Sequence, residues 1–250
     1  KALAAQGASV AITYERSEGK ALEVIREIEA AGGKAVAFAA NSADPGAVRE
    51  SINRTVAELG GLHILVNNAG IARYGSVEEM TLEDIDALLD VNVRGVILAS
   101  QAAIPHLPKG GRIINIGSSL GERVPFGGVT VYSATKSALR SFTGGLSREL
   151  GPRGITVNTV QPGSTDTDMN PADGEGAAAQ KSAMSLGEYG TPEDIAAGVG
   201  FLAGPGGKES TGTTIKVWSQ EMETRSRGVL RELIARHGGT TITVDGGAIA

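Results

Sequence analysis

Arg112-Ile113-Ile114-Asn115-Ile116-Gly117-Ser118-Ser119 decides the fold: a short apolar run ends abruptly in a glycine and two hydroxyls. A strand with one wet face alternates apolar and polar residues, whereas this run suits a parallel sheet covered by helices on both faces. Similar runs at 9–14, 35–39, 64–66, 156–160 and 240–244 read as further strands. Between them, 20–31, 47–59, 82–104, 132–150 and 192–203 carry apolar residues at helical spacing. Pro45, Thr191 and Pro192 stand where helices start, and Gly32-Gly33 and Gly60-Gly61 where they stop. The alternation predicts one α/β domain over residues 1–250, built on a doubly wound, mostly parallel sheet. Ligands of such sheets bind beyond the carboxyl ends of the strands.

The composition narrows the function. The chain has 250 residues, 36 of them glycine, a formal net charge of -5 and no cysteine. The acidic balance argues against a nucleic-acid partner, and the lack of cysteine removes disulfides and thiolate chemistry. Glu15, Arg16, Glu18 and Lys20 interrupt any apolar leader, and no stretch reads as long enough to span a bilayer, so a soluble cytoplasmic protein is expected. His63, His106 and His237 fall on separate elements, so no metal site is expected.

The segments after the strands hold the candidate chemistry. Tyr132 and Lys136 stand one helical turn apart and share a face, and a nearby ammonium favours a phenolate. Ser118 and Ser119 are either ligand hydroxyls or a helix cap. Asn67-Asn68-Ala69-Gly70 reads as a turn or as a close approach of backbone to ligand. Gln161-Pro162-Gly163-Ser164-Thr165 is a rigid turn followed by hydroxyls, and residues 164–190 read as a mobile lid. Asn92 and Gly95 are poor residues for a helix interior, and a local kink there would place a functional amide.

Taken in order, Asn67-Asn68-Ala69-Gly70, Asn92, Asn115-Ile116-Gly117-Ser118, Tyr132-Ser-Ala-Thr-Lys136, Pro162-Gly163 and Thr243-Val244-Asp245-Gly246-Gly247 resemble the motifs of the short-chain dehydrogenase/reductase family, and among its members the 3-oxoacyl-carrier-protein reductases. The resemblance implies a Rossmann-like fold and hydride transfer between a nicotinamide cofactor and a carbonyl or secondary alcohol, with a homodimer or homotetramer formed through the two long helices. It implies Tyr132 as general acid in reduction and base in oxidation, and Lys136 as the group that lowers its pKa and binds the nicotinamide ribose. Ser118 would bind the substrate carbonyl, the alternative by spacing from Tyr132 being Ser119; Asn92 would hold a water leading to Lys136. Asn68, Ala69 and Gly70 would line the cofactor, Thr165 would face its carboxamide beside Pro162 and Gly163, and Asn41 and Ser42 would lie near the adenine. Arg16, after Tyr14 and Glu15, favours NADP over NAD because a guanidinium pairs with a 2′-phosphate.

Two departures accompany the resemblance. The family's first strand and its TGxxxGxG turn would precede Lys1, where the sequence reads as the end of a helix. Thr213-Thr214-Ile215 recurs as Thr240-Thr241-Ile242, so residues 216–239 read as an insert. One expectation is that residues 213–218 and a helix around 227–237 fill the place of the first strand and helix; the other is that the insert lies outside the core. A cofactor-impaired scaffold of the same fold is the rival to the enzyme.

Overall fold

The computed structural model describes residues 1–217. Strands β1 (Val10–Tyr14), β2 (Ala35–Ala39), β3 (Ile64–Asn67), β4 (Arg112–Ile116), β5 (Thr156–Pro162) and β6 (Thr214–Val217) alternate with α1 (Ala2–Ala5), α2 (Glu18–Ala30), α3 (Pro45–Leu59), α4 (Leu82–Leu89), α5 (Gly95–Ala103), α6 (Thr130–Leu150), α7 (Ala177–Ala183) and α8 (Pro192–Ala203). All strand pairs are parallel, in two sheets ordered β1-β2 and β3-β4-β5-β6.

The doubly apolar strands feed two cores, as the pleat requires. Leu65, Ile113 and Val157 point to one face and pack with Ile52 of α3, Ala103 of α5 and Leu146 and Leu150 of α6. Their neighbours Ile114 and Val160 point to the other face and pack with Val199 and Leu202 of α8, with Leu3 of α1 alongside. Capping follows the sequence signals. The Asp44 carboxylate accepts from the Gly46 and Ala47 amides ahead of α3, Thr191 and Asp194 close a capping box on α8, and Gly60 ends α3 with φ 80°.

Three expectations change. Residues 213–217 do not fill the place of the first strand: β6 is the outer strand beside β5 among the described residues, with Lys216 opposite Gln161 and Val217 opposite Pro162, and residue 218 lies outside the described residues. Lys216 and Val217 are therefore strand, and the insert does not begin with them; the repeated Thr-Thr-Ile made two segments look equivalent as the last strand. The expected strand at 240–244, the helix at 227–237 and the Thr243–Gly247 motif lie outside the described residues. Third, Leu82–His106 is a 25-residue helical stretch with a mean hydropathy of 1.3 over its most apolar window, so by length and composition it does reach the size of a membrane span. Part of its apolar character has a use within the fold, since α5 lies against α3 and β3 and buries Val96 and Ala103 along with Ser100.

The kink expected at Asn92 is a π-helical turn over Asp90–Arg94 joining α4 to α5. Gly95 follows it because a Cβ there would sit 2.6 Å from the Ser42 carbonyl oxygen. Arg94 donates to the neighbouring Ala43 carbonyl at 3.1 Å, so the loop after β2 is held on α5. Gly95→Ala should destabilise the protein by about 1–3 kcal/mol through this clash. Gly145→Ala, at an exposed helical site with nothing within 4 Å of the added carbon, should stabilise by about 0.5–1 kcal/mol. Urea denaturation of the pair checks both signs.

Candidate active site

Toward the carboxyl ends of β3, β4 and β5 polar residues appear at one register level, Asn67 beside Asn115 beside Thr159. Asn67 Nδ2 donates to Asn115 Oδ1 at 2.8 Å and to Ser100 Oγ at 3.2 Å. Asn115 Nδ2 donates to Thr143 Oγ1 of α6 at 2.9 Å, and Thr143 and Thr159 hydroxyls meet at 2.8 Å. All five side chains are buried, so the network ties three strand ends to α5 and α6 without leaving these amides unpaired. Sequence reasoning took Asn67 as part of a turn and missed the network; a run of Asn and Thr at strand ends was its only signal.

Above this platform lies a cleft of about 1790 Å³ lined, among others, by Asn68, Ala69, Gly70, Ser118, Tyr132 and Lys136. Pro162, Gly163 and Thr165 line it too, as does Ser119. Tyr132 sits in the first turn of α6 and Lys136 one turn on, and the Lys136 ammonium lies 6.0 Å from the Tyr132 ring centroid. The Ser118 hydroxyl, not that of Ser119, is near enough to the Tyr132 phenol to lower its pKa, while burial, the larger effect, raises it. The net direction is upward, so the lowering expected from the lysine is not the balance in this geometry. Lys136 is 5% exposed, and its Nζ donates to the Ile116 carbonyl at 3.0 Å. Burial brings its pKa down to about 8.

Glycines set these distances. A Cβ on Gly121 would come within 2.8 Å of the Lys136 carbonyl carbon, so the turn after Ser118 packs directly on the backbone of α6. A Cβ on Gly70 would stand 3.2 Å from Lys136 Nζ and 3.3 Å from Asn92 Oδ1, which leaves space over the ammonium. Asn92 is fully buried; its Oδ1 accepts from the Ile71 amide at 2.9 Å, and its Nδ2 donates to the Ile71 carbonyl and to Thr135 Oγ1 at 2.9 and 3.1 Å. The side-chain amide thus ties the loop after β3 to α6, where the sequence reading gave it a water.

The remaining predicted residues lie outside this cleft. Arg16 is exposed at the end of β1 with its guanidinium 3.4 Å from Glu15, and Asn41 Oδ1 accepts from the Ala43 amide at 2.8 Å in the loop after β2. Ser42 is beside it, against Gly95. Residues 164–190, expected as a lid, carry local structure of their own. They contain α7, and Gln180 bonds Ser164 at 2.7 Å and exchanges amide bonds with Asn170, while Asp168 pairs with Lys20 of α2 at 2.5 Å. Among the described residues, no group of three His, Asp or Glu side chains is placed to hold a metal ion.

A dinucleotide fits what is present on the nicotinamide side. Lys136 has ammonium hydrogens to spare for ribose hydroxyls, Gly70 leaves room above it, and the polar strand ends lie beneath. The fold and this phenol–ammonium–hydroxyl cluster define a dinucleotide-dependent oxidoreductase of the doubly wound class. Residues 1–218 match the family described as enoyl-(acyl carrier protein) reductase, and the chain belongs to the short-chain dehydrogenases/reductases. It resembles the cyclic-di-GMP-binding biofilm dispersal mediator protein of Escherichia coli, 42% identical over 206 residues, 82% of this chain and 83% of that protein. It is 39% identical to the 3-oxoacyl-(acyl-carrier-protein) reductase FabG of Staphylococcus aureus over 218 residues, 86% of this chain and 88% of that protein. Among solved structures, a short-chain dehydrogenase from Burkholderia cenocepacia in complex with NADP is 56% identical with a TM-score of 0.86, covering 88% of this chain and 89% of that one. A blue fluorescent protein from a metagenomic library in complex with NADPH is 48% identical with a TM-score of 0.86, covering 89% and 91%. The chain is thus an oxidoreductase that transfers a hydride between a nicotinamide cofactor and a carbonyl or secondary alcohol.

The buried lysine gives a pH signature. With a folded pKa near 8 against an ordinary 10.5, the unfolded chain holds more protons between those values, so stability should rise with pH across that window. Lys136→Met should remove this rise and, at pH 7, stabilise the fold by about 3 kcal/mol. Denaturation of both proteins at pH 7 and 10.5 measures the difference.

Proposed function

We propose that this chain is an NADP-dependent reductase of uncharged carbonyl compounds that carry a flat apolar group. The observation that supports it best is the convergence of Ser118, Tyr132 and Lys136 in one cleft, with the Ser118 hydroxyl on the phenol. A bound nicotinamide dinucleotide supplies the hydride. Ser118 donates to the substrate oxygen and stabilises the charge that develops there, and Tyr132 delivers the proton to the same oxygen. Lys136, with its desolvated ammonium, holds the nicotinamide ribose and favours the phenolate once the proton has left. Asn68, Ala69, Gly70, Pro162, Gly163 and Thr165 shape the nicotinamide side. Arg16, released from Glu15, pairs with the 2′-phosphate, with Asn41 and Ser42 near the adenine. Asn92 keeps the loop after β3 against α6.

The choice of substrate rests on the wall beside the phenol. Tyr74 and Tyr132 line the same cleft, and the Gly75 amide donates to the Gly128 carbonyl at 2.9 Å, which joins the Tyr74 loop to that of Phe126. Tyr74 and Phe126 are 66% and 51% exposed, and both line the cleft, with Met169 and Met184 from the lid segment. Large apolar side chains exposed around a cleft are suited to an apolar ligand. The same proposal includes a cytoplasmic homodimer or homotetramer, in which the exposed stripe of Leu82, Leu89 and Ile97 would be covered by a second copy.

Calorimetry should detect NADPH binding more readily than NADH binding; no binding of either at millimolar concentration would overturn the enzyme reading in favour of the scaffold. Tyr132→Phe should abolish turnover with NADPH affinity retained. Tyr74→Ala and Phe126→Ala should each lower kcat/KM for an aryl ketone about tenfold, chiefly through KM, and leave a small aliphatic ketone nearly unaffected.

A further inference from the structure

The turn that carries Ser118 is held from two neighbouring strand positions. Gln161 of β5 is fully buried, and its Nε2 donates to the Ser118 carbonyl oxygen at 2.8 Å. Its register partner on β6 is Lys216, whose Nζ lies 2.6 Å from Glu122 Oε1 at the other end of the same turn. Glu122 also lies 3.7 Å from Arg140 of α6. Gly117 makes the first contact feasible, because a Cβ there would stand 3.2 Å from Gln161 Cγ. Residues 118–122 are thus fixed by the sheet at both ends and by α6 through Gly121.

Among the described residues, the amide at position 161 makes its one bond to the Ser118 carbonyl. Its Oε1 has no hydrogen-bond partner among the described residues. A buried carbonyl oxygen left unpaired is costly, and an apolar side chain of similar length would avoid that cost. What the amide adds is one directed bond. That bond fixes the Ser118 carbonyl and so the extended backbone, with φ -165° and ψ 148°, from which the hydroxyl on the same residue projects. The hydroxyl caps the turn, accepting from the Leu120 amide at 3.2 Å, and meets Tyr132.

We propose that Gln161 is a positioning residue for proton transfer, holding the Ser118 hydroxyl against the Tyr132 phenol, with the Lys216–Glu122 pair as a second tether. The inference rests on the reading of Tyr132 as the proton-transferring group, so its main test needs no turnover. Gln161→Met keeps the length of the side chain and removes the amide.

The Tyr132 phenol is followed by ultraviolet absorbance across an alkaline titration, with Tyr132→Phe and Gln161→Met/Tyr132→Phe as the respective blanks. Because the Ser118 bond opposes the effect of burial, Gln161→Met should raise the apparent pKa of Tyr132 by about half a unit or more. Its thermal midpoint should be unchanged or higher, and NADPH affinity should be preserved. With a carbonyl substrate, kcat should fall about tenfold while KM changes by less than about twofold. Lys216→Met should move the titration in the same direction by a smaller amount. An unmoved phenol titration in Gln161→Met would overturn the proposal, as would a lowered thermal midpoint with kcat reduced only in proportion to unfolding. A shifted titration in a protein whose Tyr132→Phe variant still turns over would uphold the positioning of the phenol and refute its catalytic assignment.

Discussion

The buried amides and hydroxyls of Asn67, Asn115, Thr143 and Thr159 join β3, β4 and β5 to α6, and the geometry of the site depends on that joint. A parallel sheet covered on both faces gains from apolar residues, which pack almost equally well after a small slip. A chain of polar groups has no such tolerance. Moving α6 by one residue along its axis would rotate Thr143 away from both partners and leave Asn115 and Thr159 buried without bonds. The network therefore fixes α6 in rotation and in height. Tyr132 and Lys136 are carried on that helix toward its start, above the strand ends.

Close backbone contacts complete the placement. Gly121 lets the turn after β4 rest on the helix at Lys136, and Gly70 lets the loop after β3 pass over the ammonium. The result puts a hydroxyl on a phenol and a charged amine in a nearly dry setting, which is expensive for the fold and useful for chemistry. Burial holds the phenol up and the ammonium down to about 8, so both groups favour their uncharged forms more than they would in water.

Much of this was legible because the strands are doubly apolar and the helices are well capped. β2 and β4 lie where the apolar runs put them, and α8 starts at Pro192 after its Thr191 cap. Tyr132, Lys136, Ser118 and the segment from Asn68 to Gly70 meet in one cleft because their positions after strands already implied it. Other features needed three dimensions. α7 lies in a stretch of Ala, Gly and Ser whose pattern is too bland to separate a helix from a loop. Gln161 sits between a valine and a proline and looks like the edge of a turn; only its distance to the Ser118 carbonyl reveals it. The balance of effects on Tyr132 was misjudged because spacing along a helix gives the nearness of an ammonium but not the depth of burial.

The strands form two hydrogen-bonded ladders, and among the described residues β1 and β3 each keep one side unpaired. The ladders are connected instead through α3 against α5, the Ser42 carbonyl against Gly95 and Arg94 on Ala43. Among the described residues the two ladders thus meet along a helical seam, through van der Waals contact and the Arg94 hydrogen bond. A seam of that kind transmits strain sideways: a displacement of the loop after β2 reaches the π-turn at Asn92, and from there the loop that passes over Lys136. The loop after β2 and the loop over Lys136 thus share a mechanical linkage that runs around the sheet, through the helices on one of its faces.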